Sequence, residues 1–234
     1  MSNSTLVFIP TYNEKDNVEP LFKLLSDLPL KFDILFLDDN SPDGTGKIMD
    51  RLACKNPHVH VIHRKGKEGI GSAHKEGLRW AYRRGYQHFI SMDADFTHPP
   101  EYIPKLLDNG NGAAIVVGSR HLMKESLKGW NLMRKALTKL GHLLTTQILG
   151  LKYDSTGAFR LYRLEQIPEE FLNLIQSNGY SFFFESLYTF HRRGIAIAEI
   201  PITLPPRTHG SSKMSYAEIF KSLRLLLQLY CRPL

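Results

Sequence analysis

Two aspartates one residue apart, Asp93 and Asp95, follow the apolar run Phe89-Ile90-Ser91-Met92 and precede Pro99-Pro100. In an extended strand neighbouring side chains alternate between faces, so positions i and i+2 point the same way and the two carboxylates can share one target. Hard cations such as Mg²⁺ or Mn²⁺ prefer oxygen ligands, and Mg²⁺ is usually held by one or two carboxylates with substrate phosphates completing its shell. A strand-end D-x-D therefore reads as a clamp for a metal-bound diphosphate. A solvated turn accounts for the motif equally well, because Asp is common where strands end and the paired prolines forbid continuation of the ladder.

Three further polar clusters are placed where they could join it. Pro10-Thr11-Tyr12-Asn13-Glu14 offers a flat ring at Tyr12 and an acceptor at Glu14 for a base and its hydroxyls, or a helix start with Asn13 as cap. In Asp38-Asp39-Asn40-Ser41-Pro42-Asp43-Gly44-Thr45, Asp39 can accept from ribose hydroxyls or base nitrogens, whereas Ser41 to Thr45 is turn and helix-cap chemistry. Gly69-Ile70-Gly71 lacks the third glycine of a dinucleotide fingerprint and is not in the first strand-helix turn, which disfavours a nicotinamide dehydrogenase; it suits backbone passing close to a ligand, or a helix cap. A strand ending in D-x-D-x-T also describes aspartyl-phosphate phosphatases. Those enzymes resemble this chain in that motif alone: their nucleophile strand lies near the N-terminus with the acidic pair later, and here Asp38-Asp39 comes first.

The elements that must position these clusters alternate. Strands are expected over Thr5–Ile9, Phe32–Leu37, His58–His63, Tyr86–Met92 and Ala113–Gly118. Helices fall between them over Val18–Leu28, Lys47–Ala53, Ala73–Arg84 and Pro100–Asp108. Strands separated by helices imply right-handed crossovers and a mostly parallel sheet covered on both faces, an α/β fold with ligands at the carboxyl ends of the strands. The length of 234 residues with 42% hydrophobic residues suits one domain with a sizeable core.

The formal charge of +7 favours anionic partners such as phosphates, nucleotides or an acidic membrane surface. The basic runs His63-Arg64-Lys65-Gly66-Lys67, Arg83-Arg84 and Arg192-Arg193 are not interleaved with aromatics, so they read as solvated faces, and nucleic-acid binding is disfavoured. His60, His88, His98 and His191 have no metal-ligand spacing. Cys54 and Cys231, far apart in sequence, form neither a disulfide framework nor a zinc motif and suggest a reducing compartment. The N-terminus lacks a signal-peptide pattern, and no apolar stretch is long enough for a membrane span.

The ordered set Pro10-Thr-Tyr-Asn-Glu14, Asp38 to Thr45, Gly69-Ile-Gly-Ser-Ala73, Met92-Asp-Ala-Asp-Phe-Thr-His-Pro-Pro-Glu101 and Gly118-Ser-Arg120 resembles the inverting GT-A glycosyltransferases of family 2. Within that family the chain looks like the dolichyl-phosphate mannosyltransferase group of polyprenyl-phosphate-sugar synthases. Asp154 to Arg160, Gly179 to Glu185, Pro201 to Arg207 and Gly210-Ser-Ser-Lys213 carry the likeness through most of the chain.

The resemblance implies transfer of a sugar, mannose from GDP-mannose being favoured, to a polyprenyl (dolichyl) phosphate with inversion and with Mg²⁺ or Mn²⁺. By position, Pro10, Tyr12, Glu14, Leu37 and Asp39 would line the nucleoside, and Asp93, Ala94 and Asp95 would meet the ribose-diphosphate and the metal. Arg120, Arg134, Arg207 and Lys213 would face phosphates. Asp95, Asp93 and Arg207 are the residues expected to be essential. Thr97 stands where the group usually has a metal-binding Gln, and Gly157-Ala158 where Ser-Gly is usual. Alternatives are a UDP-glucose-dependent relative, a transferase with a polysaccharide acceptor, and an inactive nucleotide-sugar-binding subunit.

A phosphate monoester, with a second pKa of about 6, is largely dianionic at neutral pH and can attack without a strong base. Positioning and charge neutralisation are then the protein's tasks.

Trp130–Leu149 is Leu-rich at helical spacing with Arg134, Lys135 and Lys139 between, a pattern that most often packs on a core but could also lie on a membrane. Tyr216–Tyr230 repeats it, and there membrane or partner contact is expected, because the acceptor is a long lipid and the chain has no span of its own. The resulting organisation is a GT-A domain over 1–214 and an amphipathic helix over 215–234. It would sit peripherally at the cytoplasmic face of the endoplasmic reticulum or, in a prokaryote, of the plasma membrane, with room for an anchoring partner subunit.

Overall fold

In the computed structural model, which describes residues 4–109, 111–205 and 216–231, the first half alternates as expected. β1 (Thr5–Thr11), α1 (Lys15–Ser26), β2 (Asp33–Asp38), α2 (Thr45–Lys55), β3 (Val59–His63), α3 (Ile70–Arg83), β4 (His88–Ser91), α4 (Tyr102–Asp108) and β5 (Ile115–Ser119) follow one another. Then come α5 (Leu132–Leu149), β6 (Arg160–Arg163), two short 3-10 turns, α6 (Phe182–Arg192), β7 (Ile197–Pro201) and α7 (Tyr216–Cys231).

The seven strands form one sheet in the order β3-β2-β1-β4-β6-β5-β7, parallel except for β6, which runs antiparallel to both β4 and β5. This is the GT-A arrangement. Every residue of β2 is buried, as a central parallel strand covered on both faces requires. Alternation divides the core: Leu6, Phe8, Leu35 and Leu37 pack on one face, with α3 and α6, and Val7, Ile9, Ile34 and Phe36 on the other, with α1 and α2. Leu226 and Leu229 of α7 belong to the first of these cores, so the C-terminal helix is packed into the domain.

Three expectations change. β4 stops at Ser91, so Asp93 and Asp95 are not carried on one face of an extended strand. Strands β6 and β7 were not read from the sequence; β6 is four residues long with Arg at both ends, which masks its pattern. The core-packing origin of the α5 stripe holds only at its C-terminal end, where Leu144 and Ile148 pack against the core and Leu149 joins it. Leu132 is 83% and Met133 72% exposed, Leu137, Leu140 and Leu143 are about half exposed, and only Thr145 and Leu149 of this helix are buried.

Candidate active site

The loops leaving β1, β2 and β4 meet at the carboxyl edge of the sheet and open into a cleft of about 600 Å³. Pro10, Tyr12 and Glu14 come to it from β1, Asp39 from β2, and Asp93, Ala94 and Asp95 from β4. The start of α3 (Gly69, Ile70), the segment before α6 (Asn178, Gly179, Tyr180) and Glu218 and Lys221 of α7 complete the wall.

A tight turn, in place of strand alternation, brings the two aspartates together. Met92 still pairs with β1, its N–H reaching the Phe8 carbonyl at 3.1 Å. The next N–H, that of Asp93, donates to Nδ1 of His98 at 2.9 Å. Oδ1 of Asp95 accepts both the Thr97 N–H, at 3.1 Å, and the Thr97 hydroxyl, at 2.6 Å. Between them Phe96 adopts φ 63°, a left-handed conformation that is unfavourable for a side chain of this size and is held by the flanking hydrogen bonds. Asp95 is 6% exposed, and a third of the Asp93 side chain is exposed. Thr97, expected at the metal, is buried behind Asp95 and does not line the cleft; its hydroxyl donates to the Asp95 carboxylate.

The nucleoside end is built the same way. Burial raises the pKa of Asp39, while hydrogen bonding and attraction from Arg64 oppose that rise. Nε of Arg64 donates to Asp39 at 2.5 Å, and its other nitrogens reach Ser72 and the Gly69 carbonyl. The basic run 63–67 is thus not uniformly a solvated face: Arg64 is 9% exposed. Lys67 places its ammonium 4.6 Å from the centre of the Tyr12 ring, inside the cleft. Glu14 takes the helix-cap position expected of Asn13, and its carboxylate accepts from Asn17 at 2.6 Å. The Ser41–Thr45 segment is turn structure: the Ser41 hydroxyl joins Asp38 to the Asn13 N–H, Gly44 and not Thr45 is the N-cap of α2, and Asp43 accepts from the N–H and hydroxyl of Thr45.

Other expected site residues lie outside the cleft lining. Leu37 is buried in the sheet, its carbonyl accepting from Thr11 at 3.1 Å. Arg120 forms a two-pronged pair with Asp154 at 2.6 and 2.8 Å and donates to Thr156. Burial opposes both charges, yet their mutual attraction prevails and holds the Asp154 carboxyl well below the usual carboxylate range. The Arg120 guanidinium is raised in turn by Asp154 and, to a smaller extent, by Asp93. Arg134 stacks on Trp130 at 3.5 Å. Arg207 and Lys213 lie outside the described residues.

Residues 6–171 match the profile of glycosyl transferase family 2. The chain belongs to this family. It is 40% identical to the undecaprenyl-phosphate mannosyltransferase of Micrococcus luteus over 211 residues, covering 90% of this chain and 87% of that one. To the polyprenol monophosphomannose synthase of Mycolicibacterium smegmatis it is 37% identical over 222 residues, 94% and 84% of the two chains. Among solved structures it superposes on glucosyl-3-phosphoglycerate synthase from Mycobacterium tuberculosis, in complex with Mn²⁺, uridine diphosphate and glucosyl-3-phosphoglycerate. That match has a TM-score of 0.73 and 20% identity, covering 99% of this chain and 81% of that one. The same synthase has been crystallised with Mg²⁺ and uridine diphosphate.

The residues of this family 2 glycosyltransferase suit a hard cation. Among the described residues its cleft is lined by the carboxylates of Glu14, Asp39, Glu68, Asp93, Asp95 and Glu218 against the ammonium groups of Lys67 and Lys221. A nucleotide diphosphate would be repelled by such a lining unless a cation lay between, and Asp93 and Asp95 supply the oxygen donors such a cation takes.

The glycines of Gly69-Ile70-Gly71 accommodate the protein's own backbone as well as the cleft. A Cβ on Gly69 would overlap the Asn178 carbonyl oxygen, which accepts from the N–H groups of Gly71, at 2.7 Å, and Ser72, at 3.1 Å. Fully buried Glu185 fixes that segment from below, accepting from the N–H groups of Gln176, at 3.0 Å, and Ser177, at 2.8 Å.

Proposed function

We propose that the enzyme transfers mannose from GDP-mannose to a polyprenyl phosphate with inversion at the anomeric carbon. The observation that carries this reading is the acid-lined cleft with Asp93 and Asp95 presented on one turn, in a chain 37–40% identical to two polyprenyl-phosphate mannosyltransferases. In this reading Asp95 is the main metal carboxylate, Asp93 bridges nucleotide and metal, and Ala94 allows close approach of the ribose-diphosphate. Pro10, Tyr12, Glu14 and Asp39 hold the nucleoside, with Leu37 beneath them. Arg120, Arg134, Arg207 and Lys213 are assigned to phosphates on the family resemblance alone: Arg120 and Arg134 do not line the cleft, and Arg207 and Lys213 lie outside the described residues.

The phosphate dianion of the acceptor attacks the anomeric carbon, a new C–O bond forms, and the electron pair of the old one leaves with the diphosphate. No side chain has to remove a proton. A bound Mg²⁺ or Mn²⁺ supplies charge neutralisation for that diphosphate. The protein's part is orientation and exclusion of water, for which a cleft at the strand ends is suited.

No helix among the described residues is long and apolar enough to cross a membrane. Peripheral attachment at a cytoplasmic membrane face is supported by the outward side chains of α5 and α7: Phe220 is 70%, Tyr230 66% and Leu227 58% exposed. The net charge of +7 favours anionic headgroups. An anchoring partner subunit would occupy the same surface.

The test is calorimetric titration with GDP-mannose and UDP-glucose, each with and without Mn²⁺, followed by a transfer assay with polyprenyl phosphate. Metal-dependent binding of GDP-mannose and formation of a mannosyl lipid are expected. Binding of UDP-glucose alone would overturn the donor, and binding without turnover would make the chain a nucleotide-sugar-binding subunit.

A further inference from the structure

α7 presents two faces. Phe220, Leu223, Leu227 and Tyr230 point outward, while Leu226 and Leu229 enter the core and Ser222 meets Ser181 at 2.9 Å. In its first two turns Glu218 and Lys221 line the cleft that also holds Asp93 and Asp95.

Glu218 is seated on Gly179. A Cβ at position 179 would overlap Oε2 of Glu218, and the three nearest heavy atoms to it are all Glu218's, so the glycine leaves the room that this carboxylate takes and a larger residue would turn it away. Oε2 also accepts the Tyr180 N–H at 3.3 Å, and Oε1 accepts from Nζ of Lys221 at 3.1 Å. The seat itself is rigid, since Glu185 and the start of α3 fix the residues just before it. Lys221, its side chain 70% exposed, is thereby held at the mouth of the cleft, between the acidic interior and the apolar outer face of the same helix.

We propose that Glu218 is a positioning residue that registers α7 against the Gly179–Tyr180 backbone, and that Lys221 is the cation that receives the phosphate of the incoming lipid. The second part rests on the proposed function. A phosphate whose apolar tail stays on the outer side of α7 would pass Lys221 at the mouth of the cleft, and an ammonium group there offsets repulsion by the lining carboxylates.

A double-mutant cycle tests the seat, read in melting temperature and so independent of any substrate. Gly179→Ala and Glu218→Ala are each expected to lower it, and the double variant to melt no lower than Glu218→Ala alone, because the overlap disappears with the carboxylate. Additive losses would overturn the seat.

Kinetics test the mouth. Lys221→Met should raise KM for polyprenyl phosphate about tenfold while leaving calorimetric affinity for Mn²⁺ and the nucleotide sugar within about twofold. Glu218→Gln keeps an acceptor for Tyr180 and should keep the melting temperature, but by weakening the hold on Lys221 it should raise the same KM. A rise in donor Kd with acceptor KM unchanged would overturn the assignment of Lys221. If the wild-type chain transfers nothing to polyprenyl phosphate, it is the proposed function that fails, and the melting cycle still judges Glu218.

Discussion

The Asp93 N–H donates to Nδ1 of His98 at 2.9 Å, and the His98 ring lies nearly parallel to Phe159 with centroids 5.1 Å apart. An accepting Nδ1 puts the ring proton on Nε2. His98 thus braces the turn that carries Asp93 from outside the cleft lining. His98→Phe keeps the stack and removes the acceptor, and His98→Asn offers a carbonyl oxygen near the same place. Mn²⁺ affinity, followed by electron paramagnetic resonance, should fall about tenfold in the first and be partly restored in the second. Equal affinities in all three proteins would show that the contact does not set the turn.

Asp95 takes two hydrogen bonds from Thr97 and faces the cleft. Asp95→Ala should reduce turnover by at least about a hundredfold with the chain still folded. Thr97→Val, which removes only the hydroxyl, should cause a smaller loss that excess Mn²⁺ offsets. Full activity in Asp95→Ala would sink the metal assignment.

Arg64 neutralises a buried Asp39. Arg64→Met leaves that carboxylate without its cation and should destabilise the fold by about 3 kcal/mol, seen as a lower melting temperature together with weaker nucleotide binding. Adding Asp39→Asn should recover stability but not binding. Recovery of both would mean that Asp39 has no part in holding the nucleoside.

His74 is enclosed by Phe8, Phe182 and Phe183, and its Nδ1–H donates to the Ile70 carbonyl at 2.8 Å. Nε2 has no hydrogen-bond partner among the described residues. Burial pushes the ring's pKa down from 6.5 to about 4. Between those values the unfolded chain binds a proton that the folded chain refuses. Stability from this group is therefore complete above pH 6.5 and is lost as pH falls towards 4, by roughly 3 kcal/mol. In His74→Phe the acid-side fall in melting temperature should shrink; an unchanged profile would place the titration elsewhere.

The outward face of α7 offers a control for the membrane reading. Phe220→Asp combined with Leu227→Asp should weaken binding to anionic liposomes about tenfold or more and leave Mn²⁺-dependent donor affinity unchanged, since neither side chain lines the cleft. Undiminished liposome binding would remove α7 from the membrane contact.

The sequence by itself determined the first five strands and their helices, because buried parallel strands such as Asp33–Asp38 are short apolar runs that end at polar residues. It also determined that the residues after β1, β2 and β4 would meet, since parallel strands place their carboxyl ends along one edge. Pro10, Tyr12, Glu14, Asp39, Asp93 and Asp95 were legible on that ground.

Tertiary structure decided the rest, where the deciding partner is far away in the chain. Arg64 looks like one member of a basic run until Asp39, 25 residues away, buries it. Arg120 has Asp154 opposite it, and β6 finds its place only between β4 and β5. Whether the Leu stripes of α5 and α7 face core or solvent depends on what packs beside them, which periodicity does not contain. Gly179 and Glu218 are the sharpest case: 39 residues separate them, neither stands in a motif with the other, and only the fold sets the Glu218 carboxylate against the Gly179 backbone at the wall of the cleft.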